Sequence, residues 1–326
     1  MRCINKILVI CVCCGLVLSG CGSLSYSSPY VIHSDTSSMN LLSTQGDKKA
    51  DSFASGLCVI DTTDLLGDGS LDLTTSEGAA VFSLSTEEVL YAKNAHERLY
   101  PASITKIMTA LVAIENGSMD QTLTATDNVK VTENGAQLLG LRTGDSMTLY
   151  QALRILLLYS ANDVANLIAE NIGGSIDGFV AMMNDRAVSL GATNTHFMNP
   201  HGLTDEEHYT TPYDLYLIFN QCIKYEAFNE IISTLTYETT YPDKNGIMNE
   251  VKVTNSNGFL RGKYNVPIGV TVIGGKTGTT NAAGHCLIVY AKDGSGNPYI
   301  AVVLKSETTD SLYDDMSDVL GLIVGS

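Results

Sequence analysis

"GGKTGTT", residues 274–280, admits two readings, and the choice between them decides the fold. Gly275, Lys276 and Thr277 match the end of the phosphate-binding pattern G-x-x-x-x-G-K-[ST], which would make this a nucleotide-binding protein. That pattern needs a glycine at position 270, where the chain has Val270, and a helix directly after the threonine. The next segment is instead a strand-like run, "HCLIVYAK" (285–292), then a turn, "DGSGNP" (293–298), and a second strand, "YIAVVLKS" (299–306). The nucleotide reading fails on both counts. Lys276-Thr277-Gly278 is left as a polar tripeptide leading into a pair of strands.

Strands recur at the other end of the chain. "AAVFSL" (79–84) and "EVLYAK" (88–93) are joined by a turn at Ser85–Glu87, and "GLCVID" (56–61) is a shorter strand-like run. An acidic, glycine-containing loop, Asp61 to Glu77, lies between. From Ser103 the period changes: Ile104, Ile107, Met108, Leu111 and Ile114 recur at helical spacing, with Pro101 ahead and Asn116-Gly117 as a stop. A second helix is expected through "TLYQALRILLLYSANDVANLIAENIGG" (148–174), a third through "GFVAMMNDRAVSLG" (178–191) and a fourth through "TPYDLYLIFNQCI" (211–223), with a short amphipathic stretch around Leu312–Ile323. There is no internal repeat. Strands at both ends with helices between predict one sheet assembled from both termini and a helical insertion at about 120–250, an α/β (α+β) class.

At 326 residues the chain can bury a large core. It carries 19 Lys+Arg against 35 Asp+Glu, a formal charge of -16, and no basic run, which excludes nucleic acid as a partner. The first twenty residues stand apart: Arg2 and Lys6 precede an unbroken apolar run from Ile7 to Leu18, too short for a comfortable span and laid out like a secretory signal peptide. "LSGC" (18–21) resembles the bacterial lipobox, whose cysteine is acylated; on that resemblance Cys21 carries the lipid. Residues 21–52, rich in Ser and Thr, read as a tether, and 53–326 as the folded domain. Without Arg2 and Lys6 the charge is near -18, so anionic headgroups would repel the body, and the lipid must hold it at the membrane. After Cys21 only Cys58, Cys222 and Cys286 remain, widely spaced and odd in number. They suit buried thiols better than a disulfide framework, although one disulfide stays open.

Ser103 and Lys106 lie three residues apart, hence on one face and one turn apart of the predicted helix. S-x-x-K alone is a weak signal. Here, however, Ile104, Ile107 and Met108 flank the lysine, and desolvation by such neighbours lowers an ammonium pKa toward what a general base requires. A serine needs that base to become a nucleophile. Ser160-Ala161-Asn162 is one of three S-x-N triplets; those at Ser38 and Ser295 fall in a tether and a turn, and only Ser160 lies in a helical segment. His196, His201 and His208 share a loop, but their spacing fits no zinc signature, and no cofactor is implied. No G-x-S-x-G elbow exists, which argues against a Ser-His-Asp hydrolase.

S-x-x-K, S-x-N and K-T-G, with Ser103, Ser160 and Lys276 spaced by 57 and then 116 residues, form the constellation of the penicillin-recognising serine enzymes. The sequence resembles the low-molecular-mass penicillin-binding proteins that act as serine-type D-alanyl-D-alanine carboxypeptidases. The similarity runs from about residue 78 to 323 and extends to "VLYAKNAHERLYPASITKIMTA", "LGATNTHFMNPHGLTDEEHYTTPYDL" and "TNSNGFLRG".

The resemblance implies a serine β-lactamase/penicillin-binding-protein-like fold and a role for each motif residue. Ser103 looks like the acylated nucleophile and Lys106 its base. Ser160 would relay a proton to the leaving D-alanine, and Asn162 would bind the substrate peptide and orient Lys106. Lys276 and Thr277, on a strand edging the cleft, suit the terminal carboxylate. Gly278 lets backbone approach, and the backbone N–H groups of Ser103 and Thr279 form the oxyanion hole. The partners implied are peptidoglycan stem peptides, with β-lactams as covalent inhibitors, outside the cytoplasm. The family's Arg near the last helix has no counterpart in "SETTDSLYDDMS", where Lys305 is the nearest cation, which throws carboxylate recognition onto Lys276 and Thr277. Between Ser160 and Lys276 there is no Glu-x-x-Leu-Asn segment of the kind that deacylates class A β-lactamases. The rivals are a weak β-lactamase or transpeptidase on the same site, and a β-lactam sensor. Because the chain stops soon after its last strand, the amino-terminal lipid is expected to do the anchoring.

Overall fold

The computed structural model describes residues 54–67, 71 and 73–325. The expected signal peptide at 1–20, the tether at 21–52 and Cys21 lie outside the described residues. Five antiparallel strands form the main sheet in the order β2-β1-β9-β8-β7: β1 is Ser76–Ser83, β2 Glu88–Lys93, β7 Val270–Thr280, β8 Gly284–Asp293 and β9 Pro298–Ser306. The sheet is thus made from both ends of the chain, as the sequence pattern predicts. The first strand pairs with the last, Ala79 opposite Val303.

Both faces of this sheet are covered, so the alternation of side chains feeds two cores. On one face Ala79, Val81, Leu287, Val289 and Ala291 pack under Leu312, Met316, Val319 and Leu320 of the C-terminal helix α7 (Thr309–Gly321). On the other, Ala80, Phe82, Cys286 and Ile288 join the helical core, with the Phe82 ring stacked on Tyr216 at 4.1 Å between centroids. Each such fully buried aliphatic or aromatic side chain contributes roughly 1.5–3 kcal/mol. Cys58, Cys222 and Cys286 are buried free thiols.

The helix that carries the S-x-x-K lysine, α1 (Lys106–Asn116), is buried on all sides from Lys106 to Ala113. A helix apolar all round sits at the centre of a core. This answers why a lysine at its first residue is stripped of water: no exposed face is left for it. A 3-10 turn, Ala102–Thr105, leads in. The helices α4 (Ile176–Ser189) and α5 (Pro212–Cys222) agree with the sequence expectation.

Three expectations need correction. The helix predicted across 148–174 is two: α2 (Leu149–Leu158) and α3 (Asn162–Gly173). Ser160 has φ +69, which an α-helix cannot accommodate. The backbone pair that would have bridged the break is satisfied elsewhere: the Asn162 N–H donates to Gln137 O at 2.8 Å, and the Ser256 N–H donates to Leu158 O at 3.1 Å. Residues 56–61 form no strand; the Cys58 N–H donates to Tyr216 Oη at 2.8 Å and Tyr213 Oη donates to Cys58 O at 2.9 Å, so tyrosine hydroxyls replace a ladder partner. The loop after it is more than a surface loop, because Leu65 exchanges both backbone bonds with Ala92 and covers part of the β2 edge. Unanticipated elements are a short ribbon, β3 (Thr122–Thr124) with β4 (Ser146–Thr148), the hairpin β5 (Thr236–Pro242) with β6 (Met248–Thr254), and α6 (Glu226–Ser233).

Candidate active site

Four separate segments converge at one end of the sheet: the 3-10 turn with α1, the α2–α3 break, the edge strand β7, and the loop 195–211 between α4 and α5. Ser103 sits in the 3-10 turn, just after Ala102, whose φ of +48 is unusual for a residue with a Cβ. That conformation turns the chain sharply out of β2's connection and presents Ser103 at the mouth while burying Ile104 behind it. Such positions cost about 1–3 kcal/mol and persist only where their surroundings hold them.

Lys106 Nζ lies 2.9 Å from Ser103 Oγ, 2.7 Å from Asn162 Oδ1 and 2.6 Å from the His201 carbonyl oxygen. The lysine is 0% exposed and, among the described residues, has no carboxylate partner. Burial, then repulsion by Lys276, pushes its pKa well below the usual lysine value, against a weaker opposing pull from Asp163. The three neighbours suit the neutral amine: two acceptors take its two N–H groups, and the serine hydroxyl can donate to its lone pair. After proton transfer the same three oxygens accept from the ammonium. The geometry therefore serves both sides of a proton abstraction from Ser103.

Lys276 is also buried; its Nζ donates to Ser160 Oγ at 3.0 Å and to Thr277 O at 2.9 Å, and burial lowers its pKa to about 7. Thr277 Oγ1 is 2.6 Å from Ser256 Oγ, and Thr279 is exposed on the same side of β7. Gly278 is where β7 touches the nucleophile's turn: a Cβ there would lie 2.9 Å from both Pro101 O and Ser103 N. The backbone N–H groups of Ser103 and Thr279 are therefore brought to neighbouring positions on the two elements. All eight predicted residues other than Cys21 fall in this one cluster.

Several participants were not expected from sequence. Asp163, the second residue of α3, accepts from the backbone N–H groups of Leu139, Gly140 and Leu141 at 2.7 to 3.0 Å, fixing the loop whose Gln137 carbonyl holds Asn162. Gly202 packs so closely that a Cβ would sit 1.8 Å from Ala102 O. Lys305 is not the cation nearest the K-T-G strand's outer face; it is paired with Glu77. Arg261 and Lys263 instead line a cavity of about 190 Å³ with Thr277, Thr279 and His285. The signal was present in "TNSNGFLRG", but nothing in one sequence says that the segment folds back beside β7. No cluster of metal-ligating side chains occurs among the described residues.

A five-stranded sheet built from both chain ends, a helical insertion, and a serine meeting a buried lysine on its central helix define the class of penicillin-recognising serine peptidases. Comparison with known proteins narrows this. A family model described as D-alanyl-D-alanine carboxypeptidase matches residues 70–308, and the chain belongs to that family. It is 36% identical over 238 residues to the D-alanyl-D-alanine carboxypeptidase DacF of Bacillus subtilis, covering 72% of this chain and 58% of that protein. It is 34% identical over 225 residues to DacB2 of Mycobacterium tuberculosis, covering 68% and 72%. The chain thus spans less than two thirds of DacF. Among solved structures, the Streptomyces K15 DD-transpeptidase superposes with a TM-score of 0.71 at 30% identity, covering 78% of this chain and 98% of that one.

Proposed function

We propose that this chain is a serine-type D-alanyl-D-alanine carboxypeptidase that removes the terminal D-alanine from peptidoglycan stem peptides. The observation that carries the reading is the contact of Ser103 Oγ with Lys106 Nζ, a fully buried amine with no carboxylate partner among the described residues. Neutral Lys106 takes the Ser103 proton as Oγ attacks the carbonyl of the penultimate D-alanine. The N–H groups of Ser103 and Thr279 donate to the developing oxyanion, a pairing worth a few kcal/mol at the transition state, on the order of 3. Ser160, bound to Lys276, passes a proton to the departing D-alanine nitrogen as the C–N bond breaks and is reprotonated by the Lys106 ammonium, which leaves Lys106 neutral again. Asn162 holds the peptide and Lys106, while Lys276 and Thr277 hold the free carboxylate. Water, deprotonated by Lys106, then attacks the acyl ester, releases the shortened peptide and returns the proton to Ser103 Oγ. β-Lactams enter the same acylation step and act as covalent inhibitors.

The same proposal places the protein outside the cytoplasm, with 1–20 removed, Cys21 acylated, 21–52 as tether and 53–326 as the catalytic domain. Its support is the apolar run before "LSGC" and the repulsive charge of the body. Mass spectrometry of the intact protein after exposure to penicillin and to a D-Ala-D-Ala peptide tests the chemistry. A penicilloyl adduct on wild type, none on Ser103→Ala, and release of D-alanine are expected. Labelling of Ser103→Ala overturns the assignment, and an adduct without peptide turnover points to a sensor. Cys21→Ser is expected to move the protein from the membrane to the soluble fraction; unchanged membrane retention rejects the lipid.

A further inference from the structure

The turn that carries Ser103 and Lys106 is clamped from outside by the loop 195–211. Three of its contacts are backbone: the His201 carbonyl on Lys106 Nζ, the Pro200 carbonyl accepting from Thr109 Oγ1 at 2.6 Å, and Gly202 against Ala102 O. The fourth is a side chain. His208 Nε2 lies 2.8 Å from Thr105 Oγ1, both residues being buried, and the Met198 N–H donates to His208 Nδ1 at 3.1 Å. With Nδ1 accepting, the neutral ring carries its proton on Nε2 and donates to Thr105. Burial keeps it neutral, lowering its pKa to about 4.

Thr105 is the last residue of the 3-10 turn and runs with helical backbone angles (φ -42, ψ -36) directly into α1, so its hydroxyl has no N–H of the first turn to cap. Its hydroxyl is committed to a ring 103 residues away in sequence. A buried side-chain bond that joins the nucleophile's turn to a distant loop is the form a positioning contact takes. Without the His208 side chain only the three backbone contacts above would tie the loop to that turn, and the His201 carbonyl would be held less firmly on Lys106.

We propose that His208 is a positioning residue for acylation: by donating to Thr105 Oγ1 it locks the loop 195–211 onto the turn bearing Ser103 and Lys106. This rests on Ser103 and Lys106 being nucleophile and base. The test uses geometric mimicry. In His208→Gln the side-chain amide nitrogen overlays Nε2 and keeps the Thr105 bond; in His208→Asn the amide overlays Nδ1, keeps the Met198 bond and cannot reach Thr105.

Acylation by a fluorescent penicillin is measured in the full-length protein for both variants, Thr105→Val and the double variant Thr105→Val/His208→Asn. The rate of covalent bond formation and the noncovalent affinity are separated by varying penicillin concentration. His208→Gln is expected within threefold of wild type. His208→Asn and Thr105→Val should each slow bond formation about tenfold or more with affinity unchanged, and the double variant should lose no more than either single one. Equal losses in the Gln and Asn variants, losses that multiply, or losses confined to affinity overturn the proposal. If His208→Asn does not fold, Thr105→Val against His208→Gln makes the same distinction. Labelling of Ser103→Ala in the same assay would condemn the underlying functional reading instead.

Discussion

Gly278→Ala isolates the approach of β7 to the nucleophile's turn. The added methyl would lie 2.9 Å from Pro101 O, 2.9 Å from Ser103 N and 3.1 Å from Ala102 Cβ, whereas comfortable contacts are about 3.5 Å or longer. Two of those atoms are backbone, so no rotamer change relieves the clash, and strand and turn must separate by roughly half an ångström. Overpacking of this kind costs about 1–3 kcal/mol, which at ~2–4 °C per kcal/mol lowers the melting temperature by about 2–12 °C. The kinetic cost is larger in proportion. Oxyanion donors act at about 2.7–3.1 Å, and loss of one costs ~10²–10³ in rate; drawing Thr279 N–H half an ångström away from Ser103 N–H should therefore slow acylation about 10–100-fold. Stopped-flow acylation by penicillin at 25 °C, where the variant stays folded, reads the rate, and calorimetry reads the stability. Gly321→Ala, whose Cβ meets nothing within 4 Å at the C-terminal end of α7, is the control: acylation should be unchanged and stability should rise by about 1 kcal/mol or less, as Gly→Ala does in a helix. A Gly278→Ala enzyme that acylates within twofold of wild type refutes the close-approach argument.

Asp163→Asn replaces a carboxylate that accepts three loop N–H bonds with an amide bearing one acceptor oxygen; a stability loss of about 2–4 kcal/mol by urea denaturation is expected, and a change under 0.5 kcal/mol contradicts that role. Arg261→Ala should raise KM for a D-Ala-D-Ala peptide several-fold while leaving penicillin acylation of saturated enzyme unchanged, because the guanidinium lines the cavity beside Thr277 and Thr279 without touching Ser103 or Lys106; an unchanged KM places it outside the binding path. His208 makes stability depend on pH: its pKa is about 4 folded against 6.5 unfolded, so the unfolded chain takes the proton first. Stability is full above pH 6.5 and falls as pH drops toward 4, by about 2 kcal/mol at pH 5. Denaturation of wild type and His208→Gln from pH 8 to 5 should show wild type losing that much more, and parallel curves exclude the linkage.

Sequence pattern carried the sheet and the central helix because their signals are local and strong. Alternation in "AAVFSL" and "YIAVVLKS" survives from either face, since both faces are buried and any apolar run of that length suits such a strand. The hairpin β5–β6 escaped notice for the opposite reason: only Tyr241, Val251 and Val253 of its residues are buried, and most of the rest are Thr, Glu, Asn and Lys, so the apolar alternation is short. The break at Tyr159–Ala161 was illegible because the propensities on both sides are helical. What stops the helix is tertiary, a carbonyl of Gln137 and an N–H of Ser256 offering better partners than the helix's own. The S-x-x-K pair could be placed on one face from spacing alone, but the depth of Lys106 depended on neighbours from Asn162 and His201, 56 and 95 residues away.

These failures share a location. Ala102 and Ser160, two of five non-glycine residues with positive φ among the described residues, flank or carry site hydroxyls, and two lysines are buried with no carboxylate partner among the described residues. Each feature opposes folding by itself, and together they cost several kcal/mol, on the order of 5 or more. They persist because a sheet buried on both faces and a helix buried on all sides leave the turn no arrangement of lower energy. The chemistry depends on that rigidity. A lysine free to reach solvent would recover its proton and its ordinary pKa, and Ser103 would then be an unactivated alcohol. The stability given up in holding Lys106 dry is thus the same free energy that lowers its proton affinity, so a substitution that relaxes the clamp and stabilises the fold should slow acylation in proportion.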